Sequence, residues 1–219
     1  MAISKLNYNS LNVTPSANSA IGFDSGADDL ETGAAGGSMN FIKKLTASSS
    51  ATLSFVDGAS SVVLDNTYKE YLFTFKNIHP SADANLMINF SIDGGSNYNV
   101  TKTSTFFNAW HDEANTSTSL EYNTDADLAQ STSNQNLTYY NISNDNDSCT
   151  SGTLKLFNPS STTFVKHFIS DTHIMTPANF AIRQFCAGYC NTTSAIDAVQ
   201  FKMNSGDIDA GTITLYGIN

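Results

Sequence analysis

From residue 41 onward apolar side chains recur at every second position in short runs, and Gly, Asn, Asp and Ser break the runs apart. That period of two restricts the fold more than any other feature, because only a β-strand sends alternate residues to opposite faces. In LMINFSID, residues 86–93, Leu86, Ile88, Phe90 and Ile92 share one face while Met87, Asn89, Ser91 and Asp93 share the other. Tyr71, Phe73 and Phe75 alternate in EYLFTFK, Val199, Phe201 and Met203 in VQFKM, and Ile213 and Leu215 in TITLYGI. Further strands are predicted at 41–45, 51–56, 137–142, 152–157, 163–170 and 180–189. The run 98–107 is expected to return from 86–92 as a hairpin across the DGGS turn at 93–96. No helical period intervenes, and 110–131 fits neither pattern. Many short strands joined by turns of mixed length predict an all-β antiparallel sandwich, of jelly-roll type rather than a simple meander, with these apolar faces meeting in one core.

The chain can fill such a core. It has 219 residues, 40% of them hydrophobic, with 14 Phe and 9 Tyr. Charged residues are only 14%, so Ser, Thr and Asn must supply the polar surface, and these favour turns and strands over helices. Ten Lys and Arg against 20 Asp and Glu give a net charge of −10, a field that repels phosphate backbones and anionic lipid. Neither nucleic acid nor a membrane is an expected partner. No run approaches the ~18 apolar residues of a spanning helix, and the first fifteen residues lack the apolar centre of a secretion signal, so folding in the cytoplasm is expected.

Cys149, Cys186 and Cys190 are odd in number, which argues against a disulfide framework. If Cys186 and Cys190 share a strand they lie on one face about 13 Å apart, too far to bridge. Buried free thiols are the expectation. A lone C-x3-C without clustered His does not make a zinc site, and no metal or other cofactor is expected.

The period of two stops at residue 40. In residues 1–40 Leu6, Tyr8, Leu11, Val13, Ile21, Phe23 and Leu30 are scattered among small and polar residues with no sustained period, too sparse to offset the entropy of ordering. This stretch is expected to be an extended arm, residues 41–219 the folded domain, and GAAGGS, 33–38, a hinge. Leu6, Tyr8, Leu11, Val13, Ile21 and Phe23 are the natural anchors if the arm docks on a neighbouring subunit or larger assembly. The alternative is that the arm wraps its own domain.

Signals for chemistry are few. FFNAWHDE, 106–113, places the single Trp of the chain, Trp110, beside His111, Asp112 and Glu113, a pattern that serves either as an aromatic platform for a sugar ring or as the aromatic edge of a core followed by a polar turn. Acidic pairs at 24–29, 123–128, 144–148 and 206–211 lack the spaced ligands and closing Glu of a calcium loop and read as solvated turns. His79, His111, His167 and His173 are far apart, and no zinc-hydrolase, nucleophile-elbow or phosphate-loop motif is present. No enzymatic activity is expected.

Five segments carry a resemblance: ISKLNYNSLNVTP (3–15), TASSSATLSF (46–55), TYKEYLFTFKNIHP (67–80), SGTLKLFNPSSTTFVKHF (151–168) and AGYCNTTSAIDAVQFKMNSGDIDAGTITLYGI (187–218). Together they resemble a jelly-roll-like module of virion structural proteins of tailed bacteriophages, particularly marine ones, that recurs in fibre, tail and head-decoration proteins. The resemblance implies a non-enzymatic virion part, made in the host cytoplasm and joined to capsid or tail proteins through the arm. It also implies self-association as a homotrimer, by analogy with phage fibres and decoration proteins. The absence of a shaft, repeat array or coiled coil marks a compact accessory piece. The other expectation is a receptor-binding module of a tail fibre that holds host-surface glycan through Trp110 and His111.

Overall fold

The computed structural model describes residues 21–23, 30–32 and 38–219. The chain divides into two units, Met1–Asn40 and Phe41–Asn219. In the first, β1 (Ile21–Phe23) pairs antiparallel with β2 (Leu30–Thr32). Ile21 and Phe23 therefore lie in a short ladder, whereas Leu6, Tyr8, Leu11, Val13 and most of the hinge lie outside the described residues.

The remaining strands are β3 (Met39–Thr46), β4 (Leu53–Val56), β5 (Glu70–Pro80), β6 (Leu86–Ser91), β7 (Lys102–Asp112), β8 (Thr118–Tyr122), β9 (Gln135–Asn136), β10 (Thr150–Phe157), β11 (Lys166–Met175), β12 (Phe180–Cys190), β13 (Ala198–Met203) and β14 (Ile208–Ile218). They form an eight-stranded sheet in the order β3-β14-β5-β10-β11-β12-β7-β8 and a four-stranded sheet in the order β4-β13-β6-β9. An eight-position jelly roll pairs positions one, eight, three and six in one sheet and two, seven, four and five in the other. With the β10-β11-β12 meander counted as position seven, the chain from β4 to β13 follows that winding, and β14 and β3 extend the larger sheet beyond β5. The all-β antiparallel sandwich read from the sequence is the fold.

The two sheets meet through aromatic rings. Phe201 of β13 touches Phe73 and Phe75 of β5 at 5.4 Å each and Phe55 of β4 at 6.2 Å, and Phe90 of β6 meets Phe168 of β11 at 5.4 Å. Tyr71, Phe73, Ile88, Phe201, Ile213 and Leu215 are fully buried, so the alternating faces do join in one core. Cys186 and Cys190 lie on the inward face of β12 with free thiols, and burial pushes the Cys190 thiol up to about 12. In β5 the alternation slips by one residue at Asn77, which lets both Phe75 and Ile78 face inward. Asn77 has φ 51° and the ladder to β14 shifts register beside it, the mark of a β-bulge.

Two expectations fail. The strands at 86–92 and 98–107 do not pair: β6 bonds to β13 and β9 in the smaller sheet, β7 to β12 and β8 in the larger. The turn forms, held by Asp93, which accepts from the Asn97 amide at 2.9 Å, but residues 97–101 then cross between sheets and Ile92 is left 44% exposed. The stretch 137–142 is not a strand. It bends irregularly past the β9 pair, with a single bridge from Ile142 to Ala84.

Lys102 and Lys166 are fully buried. Lys102 Nζ donates to Asn89 Oδ1 and to the Val100 carbonyl, both at 2.7 Å, and no carboxylate is among these partners, so burial lowers its pKa to about 8. Between pH 8 and the ordinary lysine value of about 10.4 the unfolded chain holds a proton that the folded chain has released, so Lys102 contributes a stability that rises with pH across that window. Below pH 8 the full cost of the buried ammonium is present. The buried thiols of Cys186 and Cys190, both raised by burial, act the other way above the ordinary thiol value of about 8.5, so the lysine contribution is read as a difference: thermal melts are expected to show the wild type gaining on Lys102→Met by about 3 kcal/mol between pH 8 and about 10.4. Above pH 10 Tyr71, raised to about 12 by burial, adds a further loss shared by both proteins, because it ionises more readily in the unfolded chain.

Candidate functional site

One end of the sandwich carries an open cleft of about 610 Å³. Its walls come from the end of β7 (Trp110), the start of β12 (Phe180, Ile182), the β11–β12 turn, Glu121 of β8 and the bent stretch Tyr139–Asn141. The β7–β8 hairpin sets the position of Glu121. Asp112 closes its turn by accepting from the Thr116 and Ser117 amides at 2.9 Å and from the Thr116 hydroxyl, and the Thr116 hydroxyl, first among these, holds the Asp112 carboxyl below its usual range. In the resulting register Glu121 stands opposite Asn108, two residues from Trp110 and on the same face.

Three donors converge on Glu121 Oε1: the Tyr140 hydroxyl at 2.6 Å, Trp110 Nε1 at 3.2 Å and Asn108 Nδ2 at 3.4 Å. The Tyr140 bond, above all, keeps the Glu121 carboxyl below the usual carboxylate range. Tyr140 itself is pushed up to about 12, by burial first and then by that hydrogen bond. The cluster thus holds an ionised carboxylate under an aromatic wall. Trp110 packs edge-on against Phe180 at 5.2 Å, and Tyr139 leans on Tyr140 at 4.6 Å.

The bent stretch is pinned from within. Gln184 of β12 accepts from the Tyr139 amide at 2.6 Å and donates to the Tyr139 carbonyl, and Asn85 accepts from the Asn141 amide at 2.8 Å. These bonds hold Tyr140 (φ 69°) and Asn141 (φ 34°) consecutively in the left-handed region, which side chains other than glycine seldom occupy. Beneath them Asn108 Oδ1 and Asn123 Oδ1 are buried and accept no hydrogen bond among the described residues.

Trp110 is therefore both a partner of the core and a wall of the cleft. His111, its neighbour, faces the other side of β7, exposed, and bonds Asn115 Oδ1 at 3.1 Å. The structure does not bring these two together. Glu121, Tyr139, Tyr140 and Phe180 were not singled out by the sequence. Only the pairing of β7 with β8 and β12 assembles them, and the one local hint was the adjacent pair of tyrosines. Among the described residues no group of three or more His, Cys, Asp or Glu is placed to hold a metal ion. Comparison with protein-family models, curated proteins and solved structures found no match.

Proposed function

We propose that this protein is a non-enzymatic structural part of a tailed-phage virion, an accessory head-decoration or fibre and tail component whose arm, residues 1–40, fastens to the particle while the sandwich stands outside. Four of the five segments that carry the resemblance fall on β4, β5 and β10 to β14, and 3–15 lies outside the described residues. The observation that supports assembly is an apolar strip on the outer face of the large sheet. Tyr122, Phe107 and Phe185 stand opposite one another on β8, β7 and β12, with the last two rings stacked at 4.9 Å, and Leu120 and Ile169 flank them at 73% and 49% exposure. Exposed apolar strips of this kind mark contact surfaces, and a homotrimer would cover this one together with the sheet edge at β8.

Removal of residues 1–40 is the test. Six anchors, Leu6, Tyr8, Leu11, Val13, Ile21 and Phe23, each bury apolar area worth roughly 1.5 kcal/mol or more on docking, so the truncated protein should keep its melting transition and disappear from purified particles. Incorporation at the full-length level would overturn the reading. The aromatic cleft favours a second reading, a receptor-binding module that holds host-surface glycan.

A further inference from the structure

We propose that the cleft binds an uncharged pyranose sugar, with the ring against the Trp110 and Tyr140 wall and its hydroxyls donating to Glu121. The identity of that sugar as a host receptor rests on the particle reading. The site itself does not.

The volume, about 610 Å³, is that of a small-molecule site, for which about 300–1,000 Å³ is usual. The lining combines aromatic and aliphatic surface with a few fixed polar groups, the make-up of a site that recognises a ligand with one apolar face and a polar rim. A pyranose ring has both, since its axial C–H groups form a face and its hydroxyls radiate from the edge.

The Glu121 carboxylate narrows the ligand further, because it is an acceptor. Tyr140, Trp110 and Asn108 all spend their hydrogens on Glu121 Oε1, and none of the three bonds reaches Oε2. Glu121 lines the cleft, so its carboxylate is the acceptor a ligand there can reach. A polyol brings O–H donors to that carboxylate, and hydrogen bonds to a charged group are worth about 1.5–3 kcal/mol each. A carboxylated or phosphorylated sugar would instead meet an ionised Glu121 on a chain of net charge −10. A quaternary ammonium would be drawn to the rings and the carboxylate, but its cationic group carries no hydrogen to donate.

The backbone strain at Tyr140 and Asn141 has the same location. Two consecutive left-handed residues other than glycine persist only where the surroundings over-determine them, and here Gln184 and Asn85 do so from below while the two tyrosine rings are carried up to the cleft. A segment held this firmly presents its rings with little entropy left to lose on binding. Of the residues lining the cleft among those described, Glu121 is the one carboxylate, whereas either route of glycoside hydrolysis takes two. The arrangement is that of a binder.

The single tryptophan makes the test direct, since all indole emission comes from the cleft wall. Full-length protein is titrated with the methyl glycosides of glucose, galactose, mannose and N-acetylglucosamine, and separately with N-acetylneuraminic acid and choline chloride. At least one neutral glycoside is expected to shift Trp110 emission with a Kd near ~1 mM or below, about 4 kcal/mol of binding. Glu121→Gln is expected to weaken that titration at least tenfold while the melting temperature stays close to wild type. Should Glu121→Gln fail to fold, Tyr140→Phe, which removes one donor from an exposed ring, is expected to weaken it severalfold. A flat response to every neutral glycoside at roughly ten times that concentration overturns the proposal, as does a response to choline or the acidic sugar alone, or undiminished binding in the variants. Failure here would leave the particle test of the 1–40 truncation untouched, because that readout does not involve the cleft.

Discussion

Phe201→Ala is expected to lower the free energy of unfolding by about 3–5 kcal/mol, a large part of the 5–15 kcal/mol typical of a domain. Phe201 is fully buried at the midpoint of the sandwich, and its ring touches Phe55 beside it and Phe73 and Phe75 on the facing sheet. Phe55 and Phe73 also touch each other at 5.3 Å, so four rings form one closed cluster between β4, β13 and β5. The three neighbours cannot collapse into the space left by alanine, because Phe73 and Phe75 sit on β5, laddered on both sides, and Phe55 is held in register by the ladder from β4 to β13. The loss is therefore the transfer energy of the ring, the cavity term and the edge-to-face contacts together. Urea unfolding is the measurement, read as a fall in midpoint at unchanged slope. Phe201→Leu, which refills most of the volume, should recover more than half of the loss, and Ile169→Ala, on the exposed face, should stay within about 0.5 kcal/mol. Equal effects at Phe201 and Ile169 would contradict the placement of the core.

The same cluster shows which part of this fold can be read from the chain. Phe55, Phe73, Phe75 and Phe201 each belong to a run with a period of two, and a sandwich strand with one face inward has no other way to be written. The runs consequently identified β3 to β6 and β10 to β14 and the buried face of most. Partner choice is a different matter. Asp93 and the glycines after it specify a turn, and nothing within 86–107 states whether the returning strand stays in the same sheet. Here the crossing at 97–101 decides, and what draws Lys102 and Phe106 under the sheets is the ladder from β7 to β12, eighty residues away in the chain. The bent stretch 137–142 was misread for a related reason. Its backbone groups are met by side chains from other elements, as where Thr172 Oγ1 donates to the Leu137 carbonyl at 2.8 Å and Gln184 brackets Tyr139, so it needs no ladder although its residues suit one. The cleft inherits both kinds of blindness. Trp110 was visible as a lone aromatic at a strand end, but Glu121 reaches it only by hairpin register and Tyr140 only by the bend, so the carboxylate and its donors could not be assembled from spacing.

Gly211→Ala is expected to cost at least about 3 kcal/mol and to reduce soluble protein sharply, because the position admits no Cβ. Gly211 sits in β14 within the second of two register shifts, at φ 107°, opposite the bulge in β5. A Cβ there would lie 2.3 Å from the Asn77 carbonyl oxygen, 2.7 Å from its carbon and 2.8 Å from Ile78 Cα. All three are main-chain atoms, so no rotamer change relieves the clash and the strands themselves must part. β14 lies between β3 and β5, and the Gly211 carbonyl accepts the Ala47 amide at 2.9 Å, so a shift away from β5 also disturbs the far side. Gly58 separates the two sources of cost. It has φ 74° with nothing within 4 Å of its would-be Cβ, so Gly58→Ala carries backbone strain alone, about 1–2 kcal/mol. Melting temperatures of the two variants, measured side by side, should differ by several degrees with Gly211→Ala the lower, or Gly211→Ala should yield no folded protein at all. Equal melting temperatures would mean that β5 and β14 do not approach as closely as the bulge requires, and with that the phase shift that turns both Phe75 and Ile78 into the core would lose its cause.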